Sequence, residues 1–362
     1  MLVPFSFYSD LEQFIRPVSL NLGLIGQSRN FPSDTKCCIM CKVIGIDISK
    51  ATFDVSFEKN EKMYSFLKFK NESAGFKKFR KLLNDGDHCV MEASGPYYLA
   101  LAKYLHEQGI KVSVVNPLQI KHFVRMKMAR IKTDKKDAMM IAMYGKSEQP
   151  SLWQPDDKYV IQLQQAHTAI DGLHKQSTML HNQLEAFAQI PDCDKEVMKE
   201  LRTLLMTIKR KIAKLESRMM SIVKEHYYDT YKSVTTIQGI GPKTAIFLIV
   251  VTNNFTKFDH VKKLSSYVGL APRIYESGTS VKGKGHITKM GNKYLRKLLY
   301  LCAWSAKRSN PQCKQMYDRL SEKGKPERVI KIAIANKLLR QAYAIGTKLT
   351  EYDKNYEKSL AF

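Results

Sequence analysis

The chain has 362 residues, of which 44% are hydrophobic, and this is enough for two or three folded domains. Its formal net charge of +25 (His neutral) favours a polyanionic partner, most simply nucleic acid, with an anionic membrane surface as the alternative. No apolar run reaches the roughly 18 residues that a membrane span needs, and the 7 scattered cysteines indicate no disulfide framework, so we expect a cytoplasmic protein.

Residues 1–39 form the first segment, and they mix aromatic, proline and polar residues without a clear period. Met40 stands directly before the first clear strand. We therefore predict that 1–39 is a dispensable extension, disordered or upstream of the working start codon; a folded arm is the alternative. Cys37, Cys38 and Cys41 cluster at the end of this segment and just after it, but no second Cys or His pair follows at the spacing of a zinc site.

Residues 40–150 alternate between strand and helix patterns. The segments KVIGIDIS, ATFDVSFEK and MYSFLKFK predict three consecutive strands in a meander. They are followed by a helix in SAGFKKFRKLL, a strand in HCVMEA, a helix in PYYLALAKYLHEQG, a strand in KVSVVNP, a helix after Pro117 and another over Asp134–Lys146. This order is typical of the α/β ribonuclease-H-like fold.

Four acidic residues stand at informative places in this pattern. Asp47 ends the first strand and Glu92 ends the strand HCVMEA, while Asp134 and Asp137 share one face of a helix. Carboxylates that gather in a basic protein repel each other unless cations lie between them. We therefore predict that all four bind Mg²⁺, with Mn²⁺ as an alternative ion, to hold a scissile phosphate.

Asp47 also has a competing interpretation. Sugar kinases and actin-like ATPases begin with a similar strand, Asp, turn and strand, but they use a glycine-rich turn after the Asp. Here the turn is Ile48–Ala51 and contains no glycine. An ATP-binding kinase is therefore an alternative that a nucleotide-binding assay would test.

Residues 156–228 carry a heptad pattern that predicts two long helices. The first seam comprises Leu163, Ala166, Ile170, Leu173, Ser177, Leu180, Leu184 and Phe187. After a break at Pro191, the second comprises Leu201, Leu204, Ile208, Ile212, Leu215, Met219 and Ile222, with one irregular step. We expect a coiled-coil arm, either a helical hairpin or a dimerising element; two helices packed within one domain are the alternative.

Residues 233–345 predict a mostly helical C-terminal domain, followed by a tail over 346–362. It opens with a Gly-Ile-Gly turn between apolar helices, which resembles a helix-hairpin-helix motif. In that motif Gly239, Gly241 and Lys243 would face a DNA phosphate. Plain helix packing is the alternative.

Two stretches without any acid, 108–133 and 277–317, indicate phosphate contact rather than an ordinary solvated surface. The candidate nucleic-acid-binding cations in and beside these stretches are Arg125, Lys127, Arg130, Lys132, Arg273, Lys282, Lys284, Lys289, Lys293 and Arg296. Ser277 lies among them on a glycine-flanked loop and could attack a phosphate. By local pattern alone Thr279 and Ser280 are equal candidates, and an ordinary loop serine remains an alternative.

The spacing of Asp47, Glu92, Asp134 and Asp137, the helical arm, and the blocks GIGPKTA and GLAPRIYESGTSVKGKGHITKMGNKYLRKLL resemble the DEDD-type transposases of the insertion-sequence-110 family. The Piv-type DNA invertases are relatives of that family. The resemblance covers about residues 42–345, and its two motif blocks are specific.

The resemblance implies a RuvC-like catalytic domain and a C-terminal transposase domain joined by a coiled coil. It assigns the four acids to Mg²⁺ and makes Ser277 the nucleophile that links to DNA. It also implies double-stranded DNA at element ends and target as substrate, a structured bridge RNA as guide, and assembly as homodimers and homotetramers. A RuvC-like nuclease or junction resolvase that uses water, and a nucleic-acid-binding protein that never cuts, are the rival functions.

Overall fold

The structure, a computed structural model, describes residues 41–60, 63–128, 133–273, 276–277, 281–282 and 286–354. It divides the chain into two compact units, Met1–Trp153 and Gln154–Phe362. Several predicted features lie outside the described residues: the extension 1–39 with Cys37 and Cys38, the cations Arg130, Lys132 and Lys284, and the hydroxyl residues Thr279 and Ser280.

The first unit is built on a five-stranded sheet with the order β3-β2-β1-β4-β5. The first three strands pair in antiparallel fashion, which confirms the predicted meander, and β4 and β5 run parallel to β1. This mixed sheet is compatible with the ribonuclease-H-like prediction. The strands are β1 Val43–Ile48, β2 Thr52–Asn60, β3 Met63–Lys70, β4 His88–Glu92 and β5 Lys111–Val115.

Helices cover both faces of this sheet. One apolar core joins Ile44, Ile46 and Phe53 to α1 and α2, and another joins Val90 and Val115 to α3 and α4. The alternation of side chains along a strand therefore turns Gly45 and Asp47 toward α4. The helices are α1 Ser73–Arg80, α2 Leu99–Glu107, α3 Pro117–Met126 and α4 Asp134–Glu148.

The boundaries of α1, α2 and α4 differ from the sequence-based expectation, and α4 ends at Glu148 rather than Lys146. Helix α1 ends at Arg80 rather than continuing through the apolar pair that follows. Helix α2 begins at Leu99 rather than Pro96, because Gly95 adopts φ +59° and starts a turn there. The differences in α1 and α2 shorten these helices, and none of the three changes the order of elements.

The second unit begins with a hairpin of two long helices, α5 Lys158–Phe187 and α6 Lys195–His226. The short connection makes them antiparallel, and their apolar seams share one core. One residue of the predicted seam is wrong: Leu204 is 48% exposed, whereas Leu205 is 9% exposed and fills that place. With Leu205 the steps from Leu201 alternate regularly, so the irregular step disappears.

The rest of the second unit is mostly helical and continues the same core. Two small two-stranded sheets, β6 with β9 and β7 with β8, interrupt the helices. Among the described residues, no helix combines the length and apolar character needed to cross a bilayer. The elements are α7 Tyr228–Thr235, α8 Pro242–Thr252, α9 Val261–Val268, β6 Pro272–Arg273, β7 Glu276–Ser277, β8 Val281–Lys282, β9 His286–Ile287, α10 Lys293–Ser309, α11 Pro311–Glu322 and α12 Glu327–Lys348.

Candidate catalytic acids and basic surfaces

Two of the four predicted acids meet at the ends of neighbouring parallel strands. Ile46 of β1 pairs with Met91 of β4, so the residues that follow them, Asp47 and Glu92, are neighbours across the sheet. Adjacent strands lie about 4.8 Å apart. Ser94 donates a hydrogen bond from Oγ to Glu92 Oε1 at 2.8 Å, which orients that carboxylate.

The other two acids lie in the first turn of α4. Thr133 caps this helix by accepting a hydrogen bond from the Lys136 amide at 3.3 Å. The positive end of the helix dipole then favours the carboxylates of Asp134 and Asp137. The N-cap at Thr133 therefore places Asp134 and Asp137 in the first turn of α4.

Helix α4 reaches the sheet because glycines remove side chains from the contact. A Cβ on Gly45 of β1 would lie 2.1 Å from the Ala138 carbonyl oxygen and 2.2 Å from the Ala142 amide nitrogen. On the helix, a Cβ on Gly145 would lie 2.6 Å from a methyl carbon of Val90. The backbones of strand and helix thus touch, and this brings the acidic pair to the face that carries Asp47.

The electrostatics of Asp47 reflect the negative charges of the other three predicted acids. Its pKa is raised to about 6, first because it is partly buried and then because of the negative charges of Asp137, Glu92, Asp134 and Asp54, in that order. Each of the other three predicted acids therefore acts on Asp47. Residues that are far apart in sequence thus lie near enough to influence one another electrostatically.

Sequence reasoning missed a fifth acid in this group, Asp54. It lies directly opposite Asp47 in the antiparallel register of β1 and β2, and so on the same face. Lys68 of β3 pairs with it, with Nζ 3.3 Å from Oδ2. The signal was available: a tight turn after Asp47 makes the next strand fold back with this residue opposite.

The chemistry of this group suits a hard divalent cation, because the donors are all carboxylate oxygens. A cation would also neutralise the charges that raise the pKa of Asp47. In the part of the chain that the structure describes, however, no three His, Cys, Asp or Glu side chains converge closely enough to hold a metal ion as they stand.

Ser277 lies in the second unit, at the end of β7, where it pairs with Val281 of β8. The strands β6 and β9, which flank β7 and β8 in sequence, also pair, with Arg273 opposite His286. The short pair β7–β8 is therefore enclosed in sequence by the pair β6–β9. The root of this hairpin is a close crossing of chains: a Cβ on Gly291 would lie 2.0 Å from the Tyr267 carbonyl oxygen. Ser277 therefore lies on a hairpin whose base is this close chain crossing, and it belongs to a different unit from the four acids.

The predicted Gly-Ile-Gly turn connects α7 and α8, and its two glycines differ. Gly239 has φ +102°, and a Cβ there would lie 2.6 Å from the Ala306 side chain, so this glycine serves packing on α10. Gly241 is the N-cap of α8, and a Cβ added there would meet no heavy atom within 4 Å. Lys243 follows and forms an ion pair with Glu216 at 2.6 Å.

The predicted basic residues fall into separate groups. Arg125 and Lys127 are exposed at the end of α3 in the first unit, and Arg273 is exposed on the hairpin, which also carries Lys282. Lys289, Lys293 and Arg296 line one cavity of about 780 Å³ in the second unit. Sequence reasoning missed three further cations of that cavity, Lys175, Lys297 and Arg328. Lys175 and Arg328 come from α5 and α12, which are distant in sequence from α10, whereas Lys297 lies beside Arg296 in the same acid-free stretch.

Comparisons with known proteins agree with this arrangement. A DEDD transposase family model of the IS110 type matches residues 44–190, and the model described as "Transposase IS116/IS110/IS902 family" matches residues 231–318. A pilin gene-inverting protein of Moraxella lacunata is 31% identical over 320 residues, which are 86% of this chain and 97% of the relative.

Two transposases are also similar over most of their length. A probable family 20 transposase of Pseudomonas aeruginosa is 24% identical over 85% of this chain and 98% of its own length. The transposase for insertion sequence element IS1328 of Yersinia enterocolitica is 25% identical over 86% of this chain and 98% of its own. The chain therefore belongs to the IS110 family of DEDD transposases and is an enzyme that acts on DNA.

Proposed function

We propose that this transposase cuts and rejoins DNA strands of an insertion sequence through a covalent phosphoserine intermediate at Ser277. The observation that supports the metal-dependent part is that the negative charges of Asp137, Glu92 and Asp134 all raise the pKa of Asp47. Membership of the DEDD family implies use of a divalent metal in general. Mg²⁺ is the ion that we propose for these four acids, with Mn²⁺ as an alternative.

In this mechanism the four carboxylates hold the ions, which would polarise the scissile phosphate and stabilise the leaving oxygen. The Ser277 hydroxyl attacks the phosphorus in line, its proton is lost, and the new Oγ–P bond replaces the bond to the leaving strand oxygen. That oxygen takes up a proton. The phosphoserine bond retains the energy for rejoining, so no nucleotide cofactor is required.

The proposed partners are double-stranded DNA at the element ends and target, and a structured bridge RNA as guide. The net charge of +25 supports polyanionic partners. We also propose homodimers and homotetramers, with the long helices α5 and α6 as a coiled-coil arm. Such assembly would let the acids of one protomer meet Ser277 of another.

A second candidate function is a RuvC-like nuclease or junction resolvase that uses water as nucleophile. The observation that favours it is the division of the candidate residues: the acids belong to the first unit and Ser277 to the second. A metal-dependent nuclease needs only the acids.

The test is whether a covalent adduct forms. Labelled element-end DNA, Mg²⁺ and the RNA transcribed beside the element are incubated with the protein and separated by denaturing electrophoresis. We expect a protease-sensitive shift that is absent in Ser277→Ala and retained in Thr279→Ala and Ser280→Ala. A shift that persists in Ser277→Ala would refute the role of this hydroxyl, and cut ends without any shift in the unmutated protein would favour the nuclease.

A further inference from the structure

The cavity of about 780 Å³ in the second unit has a shape and a lining that the cutting reaction does not use. Its walls come from α5, the segment after β9, α10 and α12. Pockets that enclose small molecules or single nucleotides have volumes of roughly 300–1,000 Å³. The cavity is therefore large enough for a nucleotide.

The charge of the lining is strongly one-sided. Six cations face one carboxylate, Asp171, and that carboxylate is neutralised by Lys175 at 2.6 Å. Four of the cations have no ion-pair partner within the described residues: Lys289, Lys293, Lys297 and Arg328. Such a cluster repels itself unless an anion enters, and phosphate groups are the anion that a nucleic-acid enzyme meets.

Aromatic rings form another part of the same wall. His167 and Tyr294 line the cavity and pack against each other and against Phe247, with ring centroids 4.4–4.7 Å apart. Burial lowers the pKa of His167, so the ring stays neutral near pH 7. Tyr300, one turn or more along α10 from Tyr294, adds a further half-buried ring.

From this combination we infer that the cavity binds an unpaired nucleotide of a nucleic-acid strand, with its base against the aromatic wall and its flanking phosphates on the cations. Cationic grooves with aromatic platforms are the common solution for single-stranded nucleic acid, because a base stacks on a ring only when it is out of the duplex. A base that is paired and stacked within a duplex cannot offer its face to these rings, although the duplex phosphates could still reach the exposed lysines. The strand could be DNA opened during strand exchange or an unpaired part of an RNA, since base and phosphate are common to both.

The inference rests on the proposed recombinase function only for the nature of the polyanion. It is tested by equilibrium binding with the full chain in EDTA, where no cutting occurs. The probes are labelled oligothymidylate, labelled oligouridylate and a labelled mixed-sequence duplex, each titrated at several salt concentrations.

Two cavity variants separate stacking from charge. Tyr300→Ala should weaken binding of single strands by roughly tenfold and leave the duplex almost unchanged, and Tyr300→Phe should restore it because the ring is kept. Arg328→Ala should weaken single-strand binding and reduce its salt slope by about 0.7, the value for one phosphate contact. The matched control is Lys209→Ala, which removes an exposed cation of α6 outside the cavity and should change single-strand binding much less.

The outcomes are distinguishable. Preferential loss with either single strand supports the inference, and the stronger of the two probes identifies DNA or RNA as the source. Equal losses for single strand and duplex in Tyr300→Ala, or no loss in both cavity variants, would overturn it while leaving the recombinase proposal intact. Failure of the unmutated protein to bind any of the three probes would instead count against both proposals.

Discussion

The two units of this transposase assemble their functional residues in different ways. In the first unit, the order of the strands and the position of α4 place acids that are distant in sequence near each other. Asp47 is 45 positions from Glu92 and 90 positions from Asp137. In the second, the cations of the cavity come from three helices and a loop, and most of them remain exposed. The position of the acids therefore depends on close backbone contacts, whereas the cations lie on exposed side chains of separate elements.

The sharpest test of this contrast is removal of one carboxylate charge. Asp137→Asn should reduce Mg²⁺-dependent strand cleavage by about a thousandfold or more, because a lost anionic ligand weakens both the metal and the positioning of the phosphate. Nucleic-acid binding and thermal unfolding should stay near those of the unmutated protein. The control is Glu72→Gln, an exposed acid at the start of α1, and full cleavage by Asp137→Asn would end the assignment of that residue.

The next test concerns the backbone contact that carries α4. Gly45→Ala should destabilise the first unit by about 3 kcal/mol, because its Cβ would meet main-chain atoms of α4 that cannot move aside. Gly172→Ala in α5 meets nothing and should stabilise the second unit by up to about 1 kcal/mol.

Each unit contains one of the 2 tryptophans, Trp153 and Trp304. Denaturant unfolding followed by fluorescence in Trp304→Phe and Trp153→Phe backgrounds therefore reports on each unit separately. An unchanged Trp153 transition in Gly45→Ala would show that the helix can retreat without cost.

A third test uses the corrected seam of the helical hairpin. Leu205→Ala should destabilise the second unit by about 2 kcal/mol, while Leu204→Ala should cost less than about 0.5 kcal/mol, since only the first side chain is buried. The Trp304 transition measures both. Equal effects would restore the irregular seam that the sequence alone indicated.

The smallest expected effect is that of Asp47 on stability without metal. Its folded pKa, about 6, is above the unfolded value of about 3.8, so ionisation disfavours the folded state. The penalty is absent below the unfolded pKa, grows as the pH rises toward the folded pKa, and is complete only well above it. In EDTA at pH 7.5, Asp47→Asn should be more stable than the unmutated protein by about 1 kcal/mol, reduced by solvent screening at this partly exposed site.

The measurement is the melting temperature from pH 4 to pH 8, and the difference should shrink as the pH falls. Addition of Mg²⁺ should raise the melting temperature of the unmutated protein more than that of Asp47→Asn. A variant that is less stable at every pH would show that Asp47 is held by favourable contacts instead.

Much of the first unit could be predicted from sequence, because apolar alternation in β1 and β2 has a clear period and the acids end strands whose order limits the fold. Asp54 was missed although the short turn after β1 already indicates a strand that folds back, because the exact register that places it opposite Asp47 is seen only in the structure. Leu204 and Leu205 are both apolar, so only three-dimensional packing decides which one joins the seam. The cavity could not be predicted, since its cations meet only after α5, α10 and α12 have packed.

One side chain of that cavity also belongs to the root of the hairpin that bears Ser277. Arg296 lines the cavity, and its Nη1 donates to the Val268 carbonyl oxygen at 2.8 Å, just before the turn that leads to β6. A guanidinium has five N–H donors, so a phosphate could bind Arg296 without displacing this bond. Loading of the cavity would then stiffen the hairpin root, and slower hydrogen exchange at 270–273 on addition of oligothymidylate would reveal it, whereas unchanged exchange would refute it.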